Sequence, residues 1–420
     1  MESVQQIQGQ QVSSKANTKN TAAPLSHWQK PHVLLGLAVA MILGAYIFMT
    51  TPYTQLILYG LGLALGFTLF HARFGFTSAF RRLMSVGNVE GIQAHMVMLA
   101  VASTLFAIIF ATGYTLTGAT PSGNISPIGT SLIFGSFIFG IGMQLGGGCA
   151  SGTLYHVGSG QSPTVITLIG FIAGSVIGAY HWGFWMNDTP SLGSFSLAES
   201  TNLGYFGAWM VQIALLAIIY WITVQFAKRR KPPIMKALPT ERGWKRILRG
   251  SWPLVTAAIV LAVLNAGTLF VKGSPWGITS GFALWGSKIA SLLGMDVASW
   301  TYWSGDKAEA LHSSVFQDST SVMNFGIILG AFIASASGGL FKPKRFKKGV
   351  ALASLVGGIM MGYGARLAFG CNIGAYFSGI ASFSLHGWIW GIMALLGTFA
   401  ALFIRPLFGL SNPHKNDHFC

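Results

Sequence analysis

The sequence predicts an all-α polytopic membrane protein, with about ten transmembrane helices plus short re-entrant helices in an inverted-topology repeat. Three observations predict it. Of the 420 residues, 52% are hydrophobic and only 9% are charged, against about 25% charged in soluble domains. Ten mostly apolar stretches approach the length that crosses about 30 Å of hydrocarbon. Finally, Gly135–Tyr155 recurs 222 residues later as Gly357–Phe377, with seven identities in twenty-one positions, one of them a cysteine.

The elements follow in order. Residues 1–30 are polar, rich in Gln, Ser, Asn and Lys, and read as a disordered cytoplasmic N-terminus, too polar for a signal peptide. The first membrane half, 31–227, holds spans at 33–49, 55–70, 93–113, 131–145, 165–180 and 204–226. A basic linker occupies 228–250. The second half, 251–405, holds spans at 253–271, 322–338, 350–367 and 385–404. A short tail, 406–420, closes the chain. A second repeat precedes the cysteine repeat: Gly75, Thr77, Ser78 and Phe80 match Gly277, Thr279, Ser280 and Phe282.

The formal charge of +16 suggests nucleic acid, but its placement excludes that partner. Nine Lys or Arg fall in 228–249, five in 342–348, and two are Arg81 and Arg82, so 16 of 26 lie in three short loops. That is the positive-inside pattern, with anionic lipid as the companion of such loops. With the N-terminus inside, ten crossings return the C-terminus inside, and all three basic loops land inside. The uncharged loop 114–129 and the insertion bearing Asp296, Asp306, Glu309 and Asp318 land outside. The span at 93–113 then ends outside and its partner at 322–338 ends inside. The halves are therefore expected to face opposite ways, as in transporters that bind substrate at mid-membrane helix breaks.

Candidate chemistry centres on the duplicated cysteines. Gly146-Gly147-Gly148-Cys149 cannot be a comfortable helix interior, since each glycine costs about 1 kcal/mol relative to Ala. Irregular backbone at membrane depth is tolerated where protein buries it or water reaches it. Gly148, Gly152, Gly370 and Gly374 are thus expected to border a cavity lined by Cys149 and Cys371. Helix N-termini restarting there would attract anions. Gly135, Gly140, Gly142 and their mates are expected to serve close helix packing instead. A lone buried Cys is ordinarily an inert hydrophobe. Retention at a helix break in both copies of a chain with three cysteines argues for protonated thiols that meet a sulfur-bearing anion. Asn372 directly follows Cys371 and joins this set.

Thr77, Ser78, Thr279 and Ser280 are expected to cap short helices or to offer hydroxyls to substrate. Arg366 is an intramembrane cation, read either as an anion attractor or as a snorkelling side chain; lipid contact is expected for Arg73. The cysteines lack CxxC or CxxxH spacing, so no metal and no cofactor are expected. His414, His418 and Cys420 belong to a solvated tail. No Ser-His-Asp set, paired-carboxylate site or P-loop is visible, and His156 is the sole candidate base near a cysteine. The chain is therefore not read as an enzyme.

GGGCASGTLY and GGIMMGYGARLAFGCNIG, with RFGFTSAFR and GITS, resemble the motifs of the YeeE/YedE family of bacterial inner-membrane sulfur-transport proteins. The resemblance spans about residues 55–404. It implies uptake of thiosulfate or a related sulfur anion into the cytoplasm for sulfur assimilation, by a cysteine relay of S–H···S contacts. Cys149 and Cys371 match two relay cysteines. The family commonly has a third in an Arg-Phe-Cys setting, where this chain reads Arg73-Phe74-Gly75. Further implications are a soluble TusA-like sulfur carrier as cytoplasmic partner and selenium compounds as alternative cargo. Two other readings stay open: a membrane persulfide-transfer protein with an activated thiolate, and a non-transporting scaffold.

Overall fold

The computed structural model describes residues 27–232, 243–343 and 346–414. The polar N-terminus up to residue 26, the middle of the basic linker (233–242), Lys344, Arg345, and the tail from 415, with His418 and Cys420, lie outside the described residues.

Ten helical stretches among the described residues are long and apolar enough to cross a membrane. Thirteen helices carry the architecture: α1 (Lys30–Thr50), α2 (Tyr53–Ala72), α3 (Phe76–Val86), α4 (Glu90–Thr112), α5 (Thr130–Leu145), α6 (Ala150–Gly158), α7 (Ser162–Tyr180), α8 (Gly204–Arg230), α9 (Leu254–Lys272), α10 (Thr279–Leu292), α11 (Ser319–Ser337), α12 (Lys348–Leu367) and α13 (Leu385–Ile404). A π-helical segment, Asn372–Ser378, sits between α12 and α13. One small antiparallel pairing joins β1 (Pro127–Gly129) to β2 (Ser191–Ser194).

The punctuation follows local chemistry. Pro52 and Pro253 stand at the N-caps of α2 and α9, positions that need no donor from them. The Asp318 carboxylate accepts from the Ser321 N–H at 2.8 Å and caps α11. Gly113 ends α4 with φ +72°, a left-handed turn that a side chain would strain.

Packing follows the sequence duplication. α2, α4, α5 and α7 correspond to α9, α11, α12 and α13. The five most extensive helix contacts are α7 with α12, α2 with α11, α5 with α13, α5 with α12 and α4 with α9. Each pair joins one copy to the other; α5 with α12 is its own mate, and the other four are mates in twos. The two copies interdigitate rather than folding as separate bundles. At the centre α5 crosses α12, and the close contacts are reciprocal. A Cβ on Gly135 would stand 2.9 Å from the Gly364 oxygen, and one on Gly142 would stand 2.7 Å from the Gly357 oxygen. Gly357 and Gly364 are the repeat mates of Gly135 and Gly142, so the crossing pair runs antiparallel about a local two-fold. The expectation of close packing at these glycines is met in this geometry.

Lipid is the natural neighbour of what remains. Leu34, Met41 and Phe48 on α1, and Phe206, Ile218 and Trp221 on α8, are exposed. An apolar outward face is what hydrocarbon surroundings require. Both helices lie outside the duplicated set and pack on it from one side, α1 on α11 and α8 on α4.

Candidate functional site

Both cysteines begin a helical segment. Cys149 is the N-cap of α6 and Cys371 the N-cap of the π segment, both in extended backbone. The breaks before them depend on glycine. Gly147 has φ +77° and Gly370 has φ +148°, conformations that an L side chain adopts only with strain. The chain therefore turns sharply and presents each thiol beside the first free N–H groups of the next helix. The Cys371 sulfur accepts from the Ile373 N–H at 3.4 Å, and the Cys149 sulfur lies 3.4 Å from the Ser151 hydroxyl. α6 packs against the π segment, bringing the two cysteine-capped elements together.

Two cavities flank this centre. The first, of about 340 Å³, is lined by Cys149, Gly148, Gly152, Thr77 and Ser78, with Arg73, Arg81, Arg82 and Lys342 around it. The second, of about 360 Å³, is lined by Gly370, Gly374, Thr279, Ser280, Arg366 and Lys307. Gly75, Thr77, Ser78, Gly148 and Gly152 in one wall are the repeat mates of Gly277, Thr279, Ser280, Gly370 and Gly374 in the other. The first cavity is lined by α3, which precedes α4 in the chain, and the second by Gly123, Asn124 and Ser126 in the loop that follows α4. The 23 residues of α4 span about 34 Å at ~1.5 Å per residue.

In place of one cavity lined by both thiols there are two, and Cys149 lines the first. Cys371 is fully buried and lines neither of the two. Tyr376 of the π segment, whose N–H donates to the Cys371 carbonyl at 3.3 Å, meets Phe76 and Phe80 of α3 edge-on, with ring centroids 6.3 and 5.9 Å apart.

Polar groups without partners lie beside the two thiols. Asn372 is fully buried, and neither its Nδ2 nor its Oδ1 has a hydrogen bond among the described residues. The buried Thr77 hydroxyl likewise has no partner of good geometry, although it sits beside the Cys149 sulfur. Buried polar groups are nearly always paired, so such exceptions call for a reason. Space beside the first thiol is real. A Cβ on Gly152 would meet only the Cys149 sulfur, at 3.6 Å.

Capping by the hydroxyl pairs is not what the structure shows. Gly75 and Ile278 occupy the N-caps of α3 and α10, without side-chain capping bonds. Ser78 Oγ donates back to the Gly75 carbonyl at 2.9 Å, and Ser280 Oγ donates to Thr320 Oγ1 at 3.1 Å. Each hydroxyl lies at or past the first turn rather than before it, so it cannot reach the N–H groups that a cap serves. Gly75 lines the first cavity without a thiol, and a Cβ there would press on Ser78 Oγ at 2.8 Å.

Arg366 does not snorkel. It is 5% exposed, donates through Nη2 to Thr279 Oγ1 at 2.5 Å and through Nη1 to the Tyr302 hydroxyl. Its repeat mate is Gln144, equally buried, whose Nε2 donates to the Thr77 carbonyl at 3.0 Å. One copy thus holds a neutral amide against its threonine where the other holds a cation. Sequence reasoning missed Gln144, although aligning the copies sets it under Arg366. It also missed Tyr302 and Lys307, which have no repeat mate. Arg73, expected at lipid, borders the first cavity.

Residues 71–400 match the family described as Sulphur transport. The chain is 31% identical over 366 residues to the thiosulfate transporter TsuA of Escherichia coli strain K12, covering 84% of this chain and 96% of that one. It is 27% identical over 347 residues to TsuA of Spirochaeta thermophila, covering 82% and 96%. The probable transporter YedE of Escherichia coli aligns over 160 residues at 32%, covering 37% and 39%. With its helical, multi-pass architecture and a match over most of its length, the chain belongs to the Sulphur transport family, the YeeE/YedE group of sulfur transporters.

Proposed function

We propose that this protein moves thiosulfate, or a closely related sulfur-bearing anion, across the bacterial inner membrane into the cytoplasm. The observation that carries the reading is the setting of Cys149. A thiol at a helix N-terminus opens onto a cavity ringed by Arg73, Arg81, Arg82 and Lys342. The cations and the free N–H groups draw in a dianion. The S–H group then donates to its terminal sulfur, a soft acceptor that suits a polarisable donor.

The reciprocal, antiparallel contact of α5 with α12 supports an inverted-topology repeat. In that arrangement the basic loops put the first cavity, and both termini, on the cytoplasmic side. The second cavity then opens outward, and a seal at Cys371, Asn372 and Tyr376 closes the route between them. The unpartnered amide of Asn372 fits a donor held ready for an anion in transit. A TusA-like carrier could collect cargo at the basic face.

A non-covalent pass suits the thiols better than persulfide transfer. Sulfur transfer requires a base at the thiol; the hydrogen-bonded neighbours of the two sulfurs are a serine hydroxyl and a backbone amide, and His156, which lines the cavity of Cys149, has its Nδ1 hydrogen-bonded to Gln161 at 2.8 Å rather than to the sulfur. The test is uptake of labelled thiosulfate by proteoliposomes against unlabelled sulfate, sulfite and selenite, with and without a proton gradient. Thiosulfate should enter and compete best with itself. Uptake no greater than in protein-free liposomes would remove the proposal, and a persulfide on Cys149 by mass spectrometry would favour sulfur transfer.

A further inference from the structure

The offset between the two copies grows from 202 residues at Thr77/Thr279 to 222 at Cys149/Cys371. The added length is the segment between α10 and α11, which has no counterpart between α3 and α4. It folds as short turns at Val297–Ser299, Thr301–Trp303 and Gly305–Lys307. It is anchored at its far end, where Lys288 Nζ donates to the Leu311 and Ser313 carbonyls at 2.6 and 2.7 Å. Its Trp303 Nε1 donates to Ser287 Oγ at 2.9 Å. The insertion is therefore a built part of the second cavity rather than a loose loop.

It adds a cation to a cation. Lys307 Nζ stands 4.4 Å from the Tyr302 ring centroid and 5.1 Å from that of Trp182. The Arg366 guanidinium stands 5.5 Å from the same Tyr302 ring. All of these residues line the second cavity. The hydrogen-bond partners of Arg366 are hydroxyls, and its Nε is buried without a partner among the described residues. Two like charges on one ring, held by neutral groups, repel each other. An anion between them relieves that repulsion and supplies the missing acceptor.

We propose that the insertion equips the second cavity with a recruitment site for divalent oxyanions, in which Lys307 and Arg366 respond to charge and leave recognition of sulfur to the thiols beyond. Among the described residues nothing sulfur-bearing lines this cavity; its polar side chains are cations, hydroxyls and the Asn124 amide. Sulfate and thiosulfate, both tetrahedral dianions, would bind here alike. The inference rests on the transport reading only for calling this the outer end.

The test is isothermal titration calorimetry of the full-length protein in detergent, with sodium sulfate and sodium thiosulfate at fixed ionic strength. The wild type should bind both anions with similar affinity. Lys307→Gln should weaken both about tenfold, the effect of removing one unit charge a few ångströms from a dianion in partly screened surroundings. Lys307→Arg should keep the affinity. Lys307 is exposed, so its replacement does not threaten the fold. Equal affinities for wild type and Lys307→Gln would overturn the proposal, as would a wild type that binds thiosulfate and ignores sulfate. Binding is read without transport, so a protein that binds both anions and moves neither contradicts the transport reading alone.

Discussion

Proteoliposomes carrying Gly152→Leu are expected to take up no more thiosulfate than protein-free ones, while the variant folds as the wild type does. The reason is the space around Gly152. A Cβ there meets only the Cys149 sulfur, at 3.6 Å, an ordinary contact. The position lies inside α6, where replacing glycine removes a helix penalty of about 1 kcal/mol. The fold therefore has no objection to a side chain. The remaining carbons of leucine must project into the cavity beside the thiol, the space that the anion needs. Gly152→Ala, which adds the Cβ alone, should retain most of the uptake. Normal transport by Gly152→Leu would show that the route does not pass Cys149.

The opposite result is expected at Gly362. Its Cβ would fall on the Phe171 carbonyl and within 2.6 Å of the Ser175 nitrogen and 2.9 Å of the Gly174 carbonyl carbon. All of these are backbone atoms of α7, in one of the closest helix pairs of the molecule. Neither backbone can give way without separating α7 from α12. Gly362→Val should cost at least about 3 kcal/mol, the upper part of the range for overpacking. A clearly lower thermal midpoint in detergent, and low yield, should follow. Without that loss, the helix contact described here would be wrong. The two substitutions separate glycines that make room for helices from glycines that make room for cargo.

Those two kinds of glycine were only partly separable in the sequence. The spans were legible because long apolar runs and loop charges report on hydrocarbon directly. The duplicated cysteine breaks were legible because Gly148 and Gly370 directly precede the two cysteines in apolar runs; the positive φ of Phe369 at the place of Gly147 was not. The role of the hydroxyls was misjudged. In both Gly-x-Thr-Ser segments the helix begins so that the cap falls before the hydroxyls, at Gly75 on one side and Ile278 on the other. The partnership of Gln144 with Thr77 was within reach, since the repeat sets Gln144 opposite Arg366. Tyr302 and Lys307 were out of reach: their place in the cavity wall depends on how an unrepeated insertion folds back over α10 and α12. The complete burial of Cys371 is likewise a property of packing between copies, which no single stretch of sequence encodes.

The central claim is that a sulfur-bearing anion crosses the membrane past the paired cysteines. The most direct measurement is the initial rate of labelled thiosulfate uptake by proteoliposomes holding equal amounts of wild type and of the Cys149→Ala, Cys371→Ala double variant. A hydrogen bond to a charged partner is worth about 1.5–3 kcal/mol, so loss of the thiols should slow uptake at least about tenfold in a protein that still folds. Equal rates for the two proteins would contradict the account.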